Sequence, residues 1–125
     1  MADELVLYTN PMSRGRIARW MLEEVGQSYK TEIVDYASTM KSPAYLAINP
    51  MGKVPALRHG DVVVTETPAI CAYLADAFPQ ARLAPPSGDR LRGPYSVGCF
   101  SQPAHSRRRR AIKRSASWCR RSASA

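Results

Sequence analysis

Apolar positions near the start of the chain follow first the period of a strand and then that of a helix. Residues 5–8 (LVLY) form a short apolar run that an Asn-Pro pair ends, which predicts a buried strand stopped by a turn. From Ser13 the apolar positions share one helical face, at Ala18, Met21, Leu22 and Val25. Gly26 provides a C-terminal stop, and residues 29–34 read as a second strand. This order predicts a βαβ unit with parallel pairing.

The pattern that follows predicts a hairpin. Residues 42–47 indicate a short helix, and residues 49–53 have the composition of a loop. Two brief strands, residues 54–57 and 62–64, flank a His-Gly-Asp turn, a spacing typical of an antiparallel hairpin. The hairpin adds antiparallel strands to the parallel pair, so the sheet is predicted to be mixed.

A final helix is predicted to begin at Thr67. Thr67 is a suitable N-cap, and Pro68 is suited to the first helical position. Apolar residues recur at helical spacing until Pro79 ends the run: Ile70, Leu74, Ala77 and Phe78. The predicted order is therefore βαβ, a connection and ββα, which makes this an α/β domain.

Charge divides the chain into two compositions. The 125 residues carry 18 basic and 10 acidic side chains, a net charge of +8, but residues 1–94 hold ten of each and are neutral. The other eight bases lie in the last 31 residues, which contain no acid and are rich in Arg, Ser and Ala. Because blocks of like charge repel and bury little apolar surface, residues 96–125 are predicted to be a disordered, basic, low-complexity tail. Residues 83–95 would form a linker and the start of a new element.

Cysteine spacing and hydropathy argue against several classes of protein. Cys71, Cys99 and Cys119 show no C-x-x-C or metal-ligand spacing, so the sequence predicts neither a disulfide scaffold nor a metal site. Cys71 is interpreted as a small buried residue of the last helix, with a mixed disulfide as the alternative. No apolar stretch approaches the roughly 18 residues that cross a bilayer, and residues 1–4 do not resemble the start of a secretory signal. We expect a cytoplasmic protein with no membrane partner.

Three motifs resemble the N-terminal domain of cytosolic glutathione S-transferases. Residues 8–16 (YTNPMSRGR) and 20–26 (WMLEEVG) look like the first strand, active-site turn and first helix of bacterial and fungal members. Residues 49–57 (NPMGKVPAL) look like the family's N-P-x-G-x-V-P segment, and residues 65–70 (TETPAI) like its motif before the last helix. The motifs occur in the family's order on the matching predicted elements. The resemblance therefore implies a thioredoxin-like, glutathione-binding domain over residues 1–82.

The resemblance also implies an activity. Family members join glutathione, as co-substrate, to small electrophiles without a metal, and they form homodimers, although the short second half of this chain weakens the homodimer implication. Residues 89–95 (DRLRGPY) resemble the entry to the family's helical domain, which builds the electrophile pocket, and the resemblance ends there. The change in composition leads us to expect that residues from about 96 are an out-of-frame or prematurely ended reading of a longer transferase gene. Such a chain would be weakly active or inactive.

Ser13 is the predicted catalytic residue. A thiol has a reference pKa near 8.5 and its thiolate is the nucleophile, so an activating site offers a hydrogen-bond donor and a helix N-terminus to stabilise the charge. Ser13 lies between the first strand and the first helix, where its hydroxyl and free backbone N–H groups converge. On local sequence alone a helix cap is the favoured interpretation. With the resemblance, the catalytic role becomes the favoured interpretation of Ser13, and the two roles can coexist.

The expected glutathione-binding residues of the second motif rest on the resemblance. In the family the proline at the position of Pro55 is cis, and the backbone of the preceding residue, here Val54, pairs with the cysteinyl part of glutathione. Without the resemblance, Pro55 is an ordinary proline at a strand start. Lys53 is either a partner of the glycyl carboxylate or an exposed loop lysine.

Glu66 and Thr67 are expected to hold the γ-glutamyl end of glutathione, which carries a carboxylate and an ammonium on one carbon. Thr67 and the N–H groups that open the last helix would supply donors, and Glu66 the acid. Without the resemblance, Thr67 is an ordinary N-cap and Glu66 an acid favoured near a helix N-terminus.

Two other functions stand as alternatives. One is a non-catalytic module with the transferase fold, which predicts no loss of function on Ser13→Ala. The other is binding of nucleic acid or another polyanion by the basic tail, with salt-sensitive contacts. Only Phe100 and Trp118 are available there to stack on bases, and neither lies within the arginine run at residues 107–110. Sequence-specific recognition of nucleic acid is therefore not expected.

Overall fold

The segments with strand and helix patterns of apolar residues form a mixed sheet covered by helices. A computed structural model describes residues 3–100. The strands are β1 (Leu5–Thr9), β2 (Lys30–Ile33), β3 (Ala56–His59) and β4 (Val62–Thr65). The helices are α1 (Gly15–Val25), α2 (Pro43–Ile48), α3 (Thr67–Ala77) and α4 (Arg92–Phe100), with a 3₁₀ turn at Pro79–Ala81.

The strand order in the sheet is β2-β1-β3-β4. β1 pairs parallel with β2, whereas β3 is antiparallel to both β1 and β4. The predicted βαβ unit, the hairpin and the mixed thioredoxin-like α/β sheet are therefore confirmed. None of the helices within residues 3–100 is long and apolar enough to cross a membrane.

Both faces of the sheet are covered, because alternate residues of β1 point in opposite directions. Leu5 and Leu7 pack with residues of α1 and α3, whereas Val6 and Tyr8 pack with Tyr45 of α2. All five residues of β1 are buried. A central strand buried on both faces reads as a continuous apolar run, which explains the LVLY segment. Tyr8 is thus a core residue.

Helix α1 buries the predicted face. Ala18, Met21, Leu22 and Val25 are all buried, and the helix ends at Gly26, whose positive φ of 77° suits glycine. The Gly26 N–H donates to the Leu22 carbonyl at 3.2 Å and so satisfies one of the last carbonyls of the helix.

Helix α3 differs from its prediction in two details. Its N-cap is Glu66, so Thr67 is the first helical residue and not the cap. The first four N–H groups of a helix lack intrahelical acceptors, so Pro68 is tolerated at the second position as well as the first. Ala77 is exposed, because the buried face turns toward the side that packs on α1 and α4: Ile70, Cys71, Leu74 and Ala75.

Helix α4 crosses the predicted boundary between linker and tail. It runs from Arg92 to Phe100, and Tyr95 and Leu83 are buried in the core cluster of α1 and α3. Arg92 attaches α4 to the body, since its guanidinium donates to an Asp76 carboxylate oxygen at 2.5 Å and to the Pro85 carbonyl at 2.9 Å. Residues 101–125 of the predicted tail, with the arginine run, lie outside the described residues, and the expected change of reading frame from about residue 96 stays a prediction.

Candidate functional site

Three segments that carry the predicted site residues leave the sheet at one edge. Tyr8 of β1 pairs with Ala56 of β3, and Ala56 pairs with Thr65 of β4, so these three residues form one row across the sheet. Neighbouring strands lie about 4.8 Å apart, so the row is about 10 Å wide. Ser13 follows the end of β1, Pro55 precedes β3, and Glu66 follows β4. The antiparallel pairing of β3 with β1 and β4 therefore brings segments more than 50 residues apart in the chain to one edge.

Ser13 lies in the turn between β1 and α1 and is half-buried. Its hydroxyl donates to the Asn10 carbonyl at 2.6 Å and accepts from the Gly15 N–H at 3.0 Å. Arg14 holds the N-cap position of α1 without a side-chain cap bond. Ser13 therefore binds one of the free N–H groups of the helix, as a cap does, and its hydroxyl stands at the helix N-terminus, where negative charge is favoured.

Gly15 allows α1 to start directly against the end of β1. A Cβ atom at Gly15 would lie 1.8 Å from Oγ1 and 2.9 Å from Cβ of Thr9, and 3.0 Å from Oγ of Ser13. Only a residue without a side chain fits this approach of helix to strand. No local pattern in the sequence singles out Gly15, because the contact depends on packing between two elements.

The loop before β3 holds the second group of predicted residues. The peptide bond between Val54 and Pro55 is cis, as the family resemblance implies. The Lys53 carbonyl accepts from the Tyr45 hydroxyl at 2.5 Å and from Asn49 Nδ2 at 2.8 Å. Burial raises the pKa of Tyr45 and so favours the protonated phenol that donates this bond. The Lys53 side chain is exposed, and Val54 is half-buried with its side chain against the core cluster that contains Val6, Tyr8 and Tyr45.

Asn49 organises this loop, a role that was not predicted from the sequence. It is buried, its Oδ1 accepts from the Met51 N–H at 3.1 Å, and its carbonyl accepts from the Gly52 N–H at 2.9 Å. Gly52 has a positive φ of 58°, and its carbonyl accepts from Lys41 Nζ at 3.1 Å. The available signal was the Asn-Pro pair, since Asn side chains often bond the backbone two residues on.

Glu66 occupies a strained backbone position. Its φ is 69° and its ψ is 124°, a region that residues with a side chain rarely occupy, at a cost of order 1–3 kcal/mol. Its carbonyl accepts the first helical bond of α3 from Ile70 at 2.9 Å, and its carboxylate is on the exposed surface. Thr67 is half-buried beside it. Strain of this kind clusters at functional sites, which makes Glu66 a candidate independently of any resemblance.

The Cys71 thiol is held in its protonated form. Cys71 is buried in α3, and burial raises its pKa to about 12. The thiolate is the reactive species, so the structure favours the interpretation of Cys71 as a small buried residue over a mixed disulfide.

A labelling experiment tests this interpretation. In a chain that carries Cys99→Ser and Cys119→Ser, we expect Cys71 to react with a thiol reagent at pH 8 only after denaturant is added. With a pKa of about 12, roughly one thiol in 10⁴ is ionised at pH 8, before any steric protection. Labelling of the native chain at the rate of a free cysteine would contradict the assignment.

Among residues 3–100, no group of three or more His, Cys, Asp or Glu side chains is placed to hold a metal ion. The three site segments at the sheet edge offer hydroxyl and backbone hydrogen bonds, helix N-termini and the exposed carboxylate of Glu66.

Comparisons with known proteins point to one family. A family model described as the N-terminal domain of glutathione S-transferase matches residues 12–77, more than half of the chain. Maleylacetoacetate isomerase of Pseudomonas aeruginosa is 37% identical over 87 residues, which cover 63% of this chain and 40% of the isomerase. Glutathione S-transferase 1 of Zea mays is 46% identical over 55 residues, which cover 43% of this chain and 26% of that protein.

The fold of this chain is also similar to that of a solved structure. A glutathione transferase homologue from Sulfitobacter, with bound glutathione, superposes with a TM-score of 0.68 at 25% identity, over 97% of this chain and 67% of that chain. The matches cover less than half the length of the two curated relatives.

Proposed function

Because this chain belongs to the glutathione S-transferase family, we propose that residues 3–100 bind glutathione and stabilise its thiolate for attack on a small electrophile. The family's homodimer and cytoplasmic location belong to the same proposal. One observation supports the proposed glutathione binding: Tyr8, Ala56 and Thr65 form a row across the sheet. The segments that carry Ser13, Pro55 and Glu66 leave the sheet at this row.

The proposed role of Ser13 is to donate a hydrogen bond to the thiolate sulfur. The Gly15 N–H that its oxygen accepts draws electron density from the hydroxyl and strengthens it as a donor. Hydrogen bonds to charged groups contribute about 1.5–3 kcal/mol, enough to lower a thiol pKa by about one to two units. The thiolate then forms a carbon–sulfur bond with the electrophile, whose leaving group departs with the bonding electron pair.

The remaining residues hold the rest of glutathione in this proposal. The backbone of Val54 pairs with the cysteinyl part, in a loop that the bonds from Tyr45 and Asn49 to the Lys53 carbonyl keep rigid. The exposed Lys53 ammonium pairs with the glycyl carboxylate. Glu66 takes the γ-glutamyl ammonium, and Thr67 with the α3 N-terminus takes its carboxylate.

Replacement of Glu66 by glycine is expected to change glutathione affinity and stability in opposite directions. We expect Glu66→Gly to weaken glutathione binding at least tenfold, about 1.4 kcal/mol, because the ammonium loses its acid. The same variant is expected to unfold at slightly higher denaturant, since glycine adopts a positive φ without strain. Isothermal titration of the full chain with glutathione and urea unfolding measure the two quantities.

Arg82→Gly is the matched control for Glu66→Gly. Arg82 has a positive φ of 55° after the 3₁₀ turn and is not among the proposed site residues, so the variant should leave glutathione affinity unchanged. Equal losses of affinity in both variants would remove Glu66 from the proposed site. A wild-type chain that binds no glutathione would overturn the proposed function and favour a non-catalytic module.

A further inference from the structure

We propose that Asn10 is a positioning residue for Ser13. In the free protein its carbonyl accepts a hydrogen bond from the Ser13 hydroxyl, and when a glutathione thiolate binds, the hydroxyl donates to the sulfur instead. This inference rests on the proposed function. Asn10 directly follows β1 and is 9% exposed. In the sequence pattern it marks only a turn.

The Asn10 side chain joins the turn that carries Ser13 to Val34, the residue directly after β2. Its Nδ2 donates to the Val34 carbonyl at 3.0 Å in a buried bond between residues 24 positions apart. Its Oδ1 accepts from the Met12 N–H at 2.9 Å. Val34 is itself tied to β1, since its N–H donates to the Thr9 carbonyl at 2.8 Å. The side chain of Asn10 is therefore held at both ends by backbone groups.

These two side-chain bonds also set the direction of the Asn10 carbonyl. The next residue, Pro11, has no backbone N–H with which to hold the turn. The hydrogen bonds of the Asn10 side-chain amide to Val34 and Met12 instead fix the backbone rotation of Asn10. They thereby fix the direction of the carbonyl that Ser13 binds. Without them, the Ser13 hydroxyl would lose a defined starting position.

The Asn10 carbonyl can lose its hydrogen bond from the Ser13 hydroxyl at a low cost in free energy. It accepts from two groups of the same residue, the Ser13 backbone N–H at 2.9 Å and the Ser13 hydroxyl at 2.6 Å. When the hydroxyl turns to the sulfur, the carbonyl keeps the backbone donor and is not left unsatisfied, so the penalty of an orphaned buried acceptor does not arise. The oxygen of Ser13 meanwhile keeps its bond from Gly15.

The test measures the pKa of the thiol of bound glutathione, from the ultraviolet absorbance of the thiolate against pH, in the full 125-residue chain. We expect Asn10→Ala to raise this pKa by about half a unit to one unit, a three- to tenfold loss of thiolate at neutral pH. The affinity for S-methylglutathione, which has no ionisable thiol, should stay within about twofold of the wild type. Asn10→Ser, which retains an acceptor for the Met12 N–H, should fall between the wild type and alanine, and it serves as the working variant where alanine prevents folding.

A second substitution shows whether Asn10 acts through Ser13. In a Ser13→Ala background, Asn10→Ala should have no further effect on the thiol pKa, because the hydroxyl it positions is gone. Asn49→Ala is the matched control: this buried Asn also precedes a proline, and its loss should weaken S-methylglutathione binding without moving the thiol pKa.

The outcomes separate the inference from the proposed function. A thiol pKa that shifts in Ser13→Ala but stays unchanged in the Asn10 variants overturns the inference alone. Equal effects of Asn10→Ala with and without Ser13 likewise overturn only the inference. A wild-type chain that leaves the thiol pKa of glutathione at its free value overturns the proposed function.

Discussion

Replacement of Ser13 by alanine is expected to raise the pKa of the bound glutathione thiol by about one to two units, the equivalent of a hydrogen bond to a charged group. At a pH below both values, the thiolate fraction and the rate of conjugation should fall together by about 10- to 100-fold. Spectroscopic titration of bound glutathione and turnover of a chromogenic electrophile by the full chain measure the two effects. The same variant should also lose about 1 kcal/mol of stability, because the Gly15 N–H loses its acceptor.

Ser42→Ala is the matched control for Ser13→Ala, because each serine hydroxyl donates to a carbonyl three residues earlier and accepts from an N–H in the first turn of a helix. The Ser42 hydroxyl donates to the Thr39 carbonyl at 2.7 Å and accepts from the Tyr45 N–H at 3.3 Å as the N-cap of α2. Its loss should cost a similar amount of stability and leave the thiol pKa unchanged. An unchanged thiol pKa in Ser13→Ala would leave Ser13 as a helix cap only.

Gly15→Ala is expected to cost at least about 3 kcal/mol of stability, at or beyond the upper end of typical overpacking costs. The added Cβ would lie 1.8 Å from Thr9 Oγ1, and rotation of that side chain offers no relief because Thr9 Cβ is 2.9 Å away. Either α1 shifts away from β1 or the chain unfolds, since domains have only about 5–15 kcal/mol of stability. Urea unfolding followed by circular dichroism measures the loss.

Gly93→Ala is the control for Gly15→Ala. Gly93 lies in the first turn of α4 with nothing within 4 Å of its would-be Cβ, so alanine should be neutral or stabilising by up to about 1 kcal/mol. The double variant Thr9→Ala with Gly15→Ala should recover part of the loss, because the shortest contact disappears and the 2.9 Å contact remains. A stable Gly15→Ala chain would contradict the close packing of α1 on β1.

Local patterns were sufficient to predict the elements that depend on neighbouring residues. The apolar run at residues 5–8 predicted a buried strand, and helical spacing predicted the buried face of α1. The His-Gly-Asp turn at residues 59–61 predicted the hairpin of β3 and β4, because so short a connection favours an antiparallel return. The family motifs implied a cis peptide before Pro55, which the structure has.

Elements that depend on distant contacts were predicted less well. Pro68 fits either of the first two helical positions, so only the backbone shows that Glu66 is the N-cap of α3. Ala77 matched the spacing of a buried face, yet it is exposed because α1 and α4 cover a neighbouring face of the helix. The length of α4 was not anticipated, since its anchor is Tyr95, which is buried in the same core cluster as residues of α1 and α3.

Period, capping residues and turn residues act within a few positions of one another, and the amino-acid sequence was therefore enough to locate β1 to β4 and α1 to α3. It also marked Ser13, Lys53, Val54, Pro55, Glu66 and Thr67 as candidates, through motifs. The folded chain was needed to show how Asn10 holds its turn, why position 15 must be glycine, and that Glu66 is strained. The Asn10 bond joins residues 24 positions apart, and Gly15 lies where a helix approaches a strand, so these distances arise only when the sheet and its helices pack.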